Sequence, residues 1–237
     1  MFGLFSRSKS LIDSSLLKGA VDNHSHILPG LDDGVKTLED SLEIMDFLEG
    51  LGLSELWLTP HVMEDVPNTT DGLRAAFDAF QTAYDGPVRL HLAAEYMLDN
   101  LFRERLKNRD FLLHGEDRVL VETSVMAPPL DLEEMLTDLM SAGYRPLLAH
   151  PERYGYMRPQ DYARLHEKGV LFQLNLPSLV GSYGSDAAAR AEDLLKRGWY
   201  CMAGSDCHRQ RRLRHQYTAA VLKKKTLALL APVMQGL

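Results

Sequence analysis

The sequence predicts an α/β protein whose parallel strands close into a barrel, and two observations carry that prediction. Apolar runs short enough for strands alternate with segments of helical periodicity through most of the 237 residues, and parallel neighbours need a crossover, for which a helix is usual. Five of the seven strands counted this way end in His, Glu or Asp. Barrels of this kind carry their functional groups at the C-terminal ends of strands, whereas an open doubly wound sheet gathers its site at one switch point.

The first strand runs into Val21-Asp22-Asn23-His24-Ser25-His26. Residues two apart in a strand face the same way, so His24 and His26 share a face. Pro29, Gly30 and Asp32-Asp33-Gly34 read as a loop that can bring a carboxylate back over both rings. A lone strand histidine is more often packed or solvated; His-x-His followed by Asp-Asp-Gly points instead to a metal site. A helix begins at Thr37, with Leu38, Leu42, Met45, Leu48 and Leu51 recurring at three and four residues, and Gly50 and Gly52 stop it. Residues 53–59 form the second strand, delivering Thr59-Pro60-His61. A helix over 71–84 precedes the third strand, 88–95, which places Glu95 at its end.

A Leu- and charge-rich segment, 98–108, leads to a strand at 118–123 that carries Glu122. A helix over 130–142 ends at Gly143, and the strand 145–150 closes on His150, followed by Pro151-Glu152-Arg153-Tyr154. A helix at 159–168, a sixth strand at 170–175 and a helix at 187–196 follow. The seventh strand, 198–205, leads into Asp206-Cys207-His208, and a helix over 215–230 closes the chain.

Composition bounds the rest. With 45% hydrophobic and 25% charged residues the chain has a globular profile, read as a partly flexible lead over 1–19 and a single domain over 20–237. The formal charge of -7 offers no footprint for nucleic acid or anionic membrane. No apolar run approaches membrane length, and the start places apolar residues before basic ones, the reverse of a signal peptide. Cys201 and Cys207 suggest neither a disulfide framework nor a zinc knuckle. The expected compartment is the cytoplasm.

Taken together, His24-Ser25-His26, Asp32-Asp33-Gly34, Thr59-Pro60-His61, Glu95, Glu122, His150-Pro151-Glu152-Arg153-Tyr154 and Ser205-Asp206-Cys207-His208 resemble the polymerase-and-histidinol-phosphatase (PHP) superfamily. They look most like its bacterial capsule-associated protein-tyrosine phosphatases, over residues 20 to about 215. The resemblance implies the PHP fold, a distorted seven-stranded (β/α)7 TIM-like barrel. It also implies three divalent metal ions, manganese or alternatively iron or zinc. Carried over by motif position, the ligands are His24, His26, Asp33, His61, Glu95, Glu122, His150, Asp206 and His208, with Asp32 the alternative to Asp33. Arg153 would bind substrate phosphate and act in catalysis. A further basic residue is expected after the last His, where Arg209, Arg211, Arg212 and Arg214 crowd together; Arg211 and Arg212 are taken as its candidates.

The implied reaction is removal of phosphate from phosphotyrosine in a protein, a bacterial tyrosine kinase of exopolysaccharide synthesis or export, by metal-activated hydroxide. The tyrosyl leaving group has a pKa of about 10, so metal and arginine can largely replace a strong acid, and His61 or His208 can supply a proton. One alternative is a small-molecule phosphomonoesterase such as histidinol phosphatase; another is a silent metal-binding regulatory module. A thiolate mechanism fails on spacing: a Cys-x5-Arg loop would need arginine where Leu213 follows Cys207, and Cys207 itself follows Cys201. His91, His114 and His166 read as structural histidines, with His215 undecided.

Overall fold

Residues 8–219 and 221–236 are described by the computed structural model. β1 (Ser8–Ser10) and α1 (Leu11–Ser14) lie within the expected lead, yet Leu11 and Leu17 are buried in the core and β1 pairs antiparallel with a strand near the other end of the chain. Residues 1–7 of that lead fall outside the described residues.

The chain continues through β2 (Val21–Asp22), α2 (Leu38–Gly50), β3 (Glu55–Leu58), β4 (His61–Val62), α3 (Thr70–Ala83), β5 (Arg89–Leu92), β6 (Glu95–Met97) and α4 (Asn100–Asn108). It then forms β7 (Arg118–Glu122), α5 (Leu132–Ser141), β8 (Arg145–Ala149), α6 (Pro159–Glu167), β9 (Leu171–Asn175), α7 (Leu176–Leu179), α8 (Ser185–Arg197) and β10 (Tyr200–Gly204). α9 (Gln210–Ala219), β11 (Val221–Lys223) and α10 (Lys224–Val233) complete it. Helix starts follow local chemistry: Thr37, Thr69 and Asp99 each accept a backbone N–H of the first turn, at 3.2, 3.1 and 3.0 Å. The single closing helix expected over 215–230 is two helices, because β11 intervenes to pair with β1, Lys9 opposite Leu222.

Seven uninterrupted strands were expected, and the strands are instead kinked. β10-β9-β8-β7-β6-β4 form one parallel sheet and β2-β3-β5 another. The second strand breaks between β3 and β4 at Pro60, which has no N–H for a ladder. The third breaks between β5 and β6 at Ala93-Ala94. Backbone bonds still bridge the breaks: Thr59 N donates to Ser25 O at 2.8 Å, Ala93 N to Leu58 O at 2.9 Å and Glu95 N to Pro60 O at 3.0 Å. At the other side Asn23 N donates to Ala203 O, His26 N to Cys207 O and Asp206 N to His24 O, so the last strand lies along the first.

Both faces of the strands are covered. Val119, Val121, Leu148, Phe172 and Leu174 pack towards the helices, while Leu120, Leu147, Ala149 and Met202 form a separate cluster. This alternation explains why these strands read as continuous apolar runs, with side chains of successive residues burying on opposite sides.

Candidate metal centre

The candidate ligands sit at strand ends, at the strand breaks before β4 and β6, and, for Asp33, in the loop after β2. His24 and His26 lie just beyond β2 with Ser25 turned the other way, its hydroxyl donating to Trp57 O at 2.8 Å. The predicted pairing is realised: the Nε2 atoms of His24 and His26 face each other at 3.0 Å. His61 opens β4, Glu95 opens β6, Glu122 ends β7, His150 follows β8, and Asp206 and His208 follow β10. His150 and Asp206 hold positive φ, +37° and +51°, a strained backbone for residues with a Cβ. Both are the turns that aim ligands inward.

Glu95 is the hub. It is fully buried, with Oε2 3.1 Å from His24 Nε2, 3.2 Å from His26 Nε2 and 3.2 Å from His61 Nδ1, and Oε1 2.9 Å from His150 Nε2. Glu122 reaches His61 Nδ1 at 3.2 Å and His150 Nε2 at 3.7 Å. Asp206 Oδ1 lies 3.6 Å from His26 and 3.5 Å from His208, and Asp33 lies 3.5 Å from His61 and 3.3 Å from His208. The nine residues fall into overlapping groups whose donor atoms lie within 4.8 Å of one another: His26-Asp33-His61-His208, His24-Glu95-His150, His24-His26-Asp206 and His61-Glu95-Glu122.

The electrostatics are those of a site built for positive charge. Burial disfavours the imidazolium at His24 and His61, but Glu95, with Asp206 at the first and Glu122 at the second, outweighs it and lifts them to about 9 and about 10. Burial likewise opposes ionisation of Glu95 and Asp206, yet the surrounding histidines hold both well below the usual carboxylate range. His61 Nδ1 is buried and makes no directed hydrogen bond despite two carboxylate oxygens at 3.2 Å. Imidazole and carboxylate donors converging on one small volume, with the two acceptor-capable Nε2 atoms of His24 and His26 facing each other at 3.0 Å, fit divalent cations of the Mn, Fe and Zn type.

The two adjacent aspartates do different things. Asp32 is buried and accepts His26 Nδ1–H at 2.8 Å, Gly34 N–H at 2.9 Å and His61 N–H at 3.0 Å. Asp33, with a side chain 73% exposed, points its carboxylate at His61 and His208. Other holders were not singled out from sequence: Gln173 Oε1 accepts from His24 Nδ1 at 2.6 Å, and Asn175 Nδ2 donates to Asp206 Oδ2 at 2.7 Å. Their signal was present, since both are polar residues two apart in the otherwise apolar strand β9.

The cluster forms the floor of a cleft of about 480 Å³ whose walls include Arg153, Arg209, Arg212, Tyr183, Met97 and Val125. Arg153 does not pair with Glu152; its Nη1 is 2.9 Å from Asp206 Oδ2. Glu152 is buried and accepts from Asn175 N and Tyr200 OH. Tyr183, also not foreseen, is flanked by two guanidiniums, Arg153 at 4.4 Å and Arg212 at 5.1 Å from its ring centre. Of the two arginines expected at the phosphate, both exposed, Arg212 lines the cleft and Arg211 does not. Arg209 and Arg212, three apart at the start of α9, share a face, and Arg211 lies about 100° round the helix from Arg212. His61 and His208, the expected proton donors, retain 12% and 23% side-chain exposure.

Three of the remaining histidines are occupied elsewhere, and His215 is exposed on α9. His114 is buried, its Nε2 3.1 Å from Asn23 O and its ring stacked on Trp57; burial pushes it down to about 3. His91 pairs with Glu55, and His166 stacks on Trp199.

Comparison with known proteins agrees with this geometry. The family described as capsular polysaccharide synthesis, CpsB/CapC, matches residues 20–228. The tyrosine-protein phosphatase YwqE of Bacillus subtilis (strain 168) is 29% identical over 214 residues, 86% of this chain and 84% of that protein. The tyrosine-protein phosphatase CpsB of Streptococcus pneumoniae is 25% identical over 202 residues, 79% and 82% of the two chains. A solved structure from work on YwqE of B. subtilis and CpsB of S. pneumoniae, unique metal-dependent tyrosine phosphatases, has a TM-score of 0.75 at 25% identity, covering 91% of this chain and 94% of that one.

Proposed function

From its membership of the CpsB/CapC capsular polysaccharide synthesis family and from its nine-donor cluster, we infer that this chain is a metal-dependent protein-tyrosine phosphatase. The relatives are named tyrosine-protein phosphatases and the matching structure is of a metal-dependent one. The observation that carries the reading is Glu95 in contact with four imidazoles beside the Arg153 guanidinium.

The finer reading is that His24, His26, Asp33, His61, Glu95, Glu122, His150, Asp206 and His208 together hold three divalent ions, manganese being the first choice. Such ions would lower the pKa of a coordinated water and neutralise phosphoryl oxygens. The chain's own groups do the rest. Arg153 and Arg212 orient the phosphate through their planar donor forks. Asp206 and the Tyr183 ring hold Arg153 towards the cleft. His61 or His208, the partly exposed imidazoles, would supply the proton that the leaving phenolate oxygen takes up, from a ring nitrogen that holds no ion.

The fold reading is a distorted (β/α)7 barrel; its support is the ladder of backbone bonds that links the first strand to both the second and the last. The substrate reading is a phosphotyrosine-bearing bacterial tyrosine kinase of exopolysaccharide synthesis, supported by the family's association with capsule. A cytoplasmic setting accords with two free thiols. Among the described residues no helix is long and apolar enough to cross a membrane.

The test is phosphate release from a phosphotyrosyl peptide and from histidinol phosphate, with manganese and then with chelator. Chelator-sensitive turnover of the peptide well above histidinol phosphate is expected. Preference for histidinol phosphate would sink the substrate assignment, turnover of neither would favour a silent module, and turnover indifferent to metal removal would overturn the mechanism.

A further inference from the structure

We propose that the loop at residues 124–130 is a docking lip for the polypeptide that carries the phosphotyrosine, and that the cavity behind it takes an apolar side chain of that polypeptide. This rests on the protein-phosphatase reading above and deepens it. The loop joins β7 to α5 directly after the ligand Glu122, so its position is tied to the site.

Three of the five large apolar side chains most exposed among the described residues lie in this one loop: Val125 at 40%, Met126 at 84% and Leu130 at 109%. A contiguous exposed apolar patch marks an interaction surface, whereas single exposed leucines need no explanation. Pro128 and Pro129 restrict the backbone between Met126 and Leu130, so the lip is presented with little conformational entropy left to lose on docking.

The lip also connects two hollows. Val125 lines the catalytic cleft, and Pro128 and Leu130 line a second cavity of about 650 Å³ between α5 and α6. Only a thin wall separates them: Thr123, in the cleft, hydrogen-bonds through its hydroxyl to the hydroxyl of Tyr156, in the second cavity. An extended chain with its phosphotyrosine in the cleft would cross the lip towards this cavity.

The chemistry of the cavity selects the occupant. Its charged groups are largely paired with one another: Arg164 with Glu133 at 2.7 Å and with Asp161 at 2.9 Å, and Arg158 with Asp161 at 3.5 Å. What remains for a guest is largely apolar, chiefly Pro128, Pro129, Leu130, Leu132 and the Tyr156 ring, which keep exposed surface, with the buried Met157 and Leu165 behind them. The lip itself offers an anionic bilayer no attraction, because residues 124–130 carry no Lys or Arg.

The experiment uses manganese-loaded protein and a series of serine-rich phosphotyrosyl peptides in which one leucine is moved stepwise away from the phosphotyrosine. The quantity read is the ratio of kcat/KM for each leucine peptide to that of its serine parent, so that a general change in activity cancels. One register should raise the ratio roughly tenfold, mainly through KM, as burying a leucine allows. The same register should tighten the Kd of the corresponding phosphonomethyl-phenylalanine peptide, read by fluorescence anisotropy. Met126→Ser combined with Leu130→Ser should return the ratio to near one, while Leu130→Met should keep it; the side chains are exposed, so folding is not at stake.

A ratio near one at every register, or a preference unchanged in the double variant, overturns the proposal. Binding to anionic vesicles that the double variant loses would assign the lip to a membrane and overturn it equally. Failure of the underlying reading looks different: manganese-loaded protein would then hydrolyse neither the peptides nor p-nitrophenyl phosphate, and both inferences would fall together.

Discussion

His26 Nδ1 donates to Asp32 Oδ2 at 2.8 Å, with both side chains fully buried, and that bond turns Nε2 of His26 towards Glu95 and Asp206. A carboxylate behind a histidine sets its tautomer and raises its basicity as a ligand. Burial opposes the charge on Asp32, but hydrogen bonds from His26, His61 N and Gly34 N keep its carboxyl well below the ordinary range.

Asp32 and Asp33 should therefore separate under mutation. In metal-free protein Asp32→Ala should cost about 1–3 kcal/mol, since it strands buried donors, whereas Asp33→Ala should stay within about 0.5 kcal/mol. Both should weaken manganese binding, Asp32→Ala by roughly 10–100-fold. Thermal melts of stripped protein and calorimetric titration with manganese measure the two effects; a larger loss of melting temperature in Asp33→Ala would refute the division of labour.

Gly204 and Gly34 are the close-approach points of the site. A Cβ at Gly204 would lie 2.3 Å from His24 Cβ and 2.8 Å from His24 N, and one at Gly34 would lie 2.2 Å from His26 O. Gly204→Ala must push β10 away from the first strand, at a cost of about 1–3 kcal/mol, and should loosen metal binding as well. Gly50→Ala, in open space on α2, is the control and should be neutral or slightly stabilising. Denaturant midpoints of the two variants decide the matter.

Arg212→Ala should lower kcat/KM for a phosphotyrosyl peptide by at least about tenfold, as loss of a charged phosphate contact does, and Arg211→Ala should leave it near the parent value. Arg153→Ala should cost roughly 10²–10³ in kcat. Arg153→Lys should recover only a small part, because an ammonium cannot reproduce a planar fork that also stacks on Tyr183. Steady-state kinetics on metal-loaded variants with matched circular dichroism test this; equal losses in Arg211→Ala and Arg212→Ala would remove the basis for choosing between them.

The metal-free protein should lose stability as pH rises. Neighbouring carboxylates lift His24 and His61 in the fold to about 9 and about 10, above the ordinary histidine value of about 6.5. A raised histidine pKa contributes stability that is complete below about 6.5 and is lost as pH climbs through the folded values. Metal competes with those protons, so manganese affinity should increase over the same window. Urea titrations of stripped protein between pH 6 and pH 10 should show a falling midpoint, and a rising one would reverse the assigned electrostatics.

Much of the site was legible because its signals are local. His24 and His26 obey the strand period, and Glu122 and His150 stand where apolar runs of five or so residues stop. The strands themselves were found, but their kinks were not. Pro60 was a visible warning for the β3–β4 break; nothing local marks the break before Glu95. The short strand β11 was hidden inside a helical pattern because its reason for being extended is its partner β1, at the far end of the chain.

What the sequence determined by itself is the inventory: an alternating α/β chain, histidines and carboxylates at strand ends, an arginine after His150, and no thiolate motif. What only the tertiary structure decided is the placement of each member. Asp32 bonds His26 while Asp33 faces the cleft, Arg212 lines it and Arg211 does not, and Gln173 bonds a histidine 149 residues away. The physical reason is that periodicity specifies which face of an element a side chain occupies, while the choice between neighbours on adjoining faces depends on which distant segment packs there and supplies the hydrogen bond.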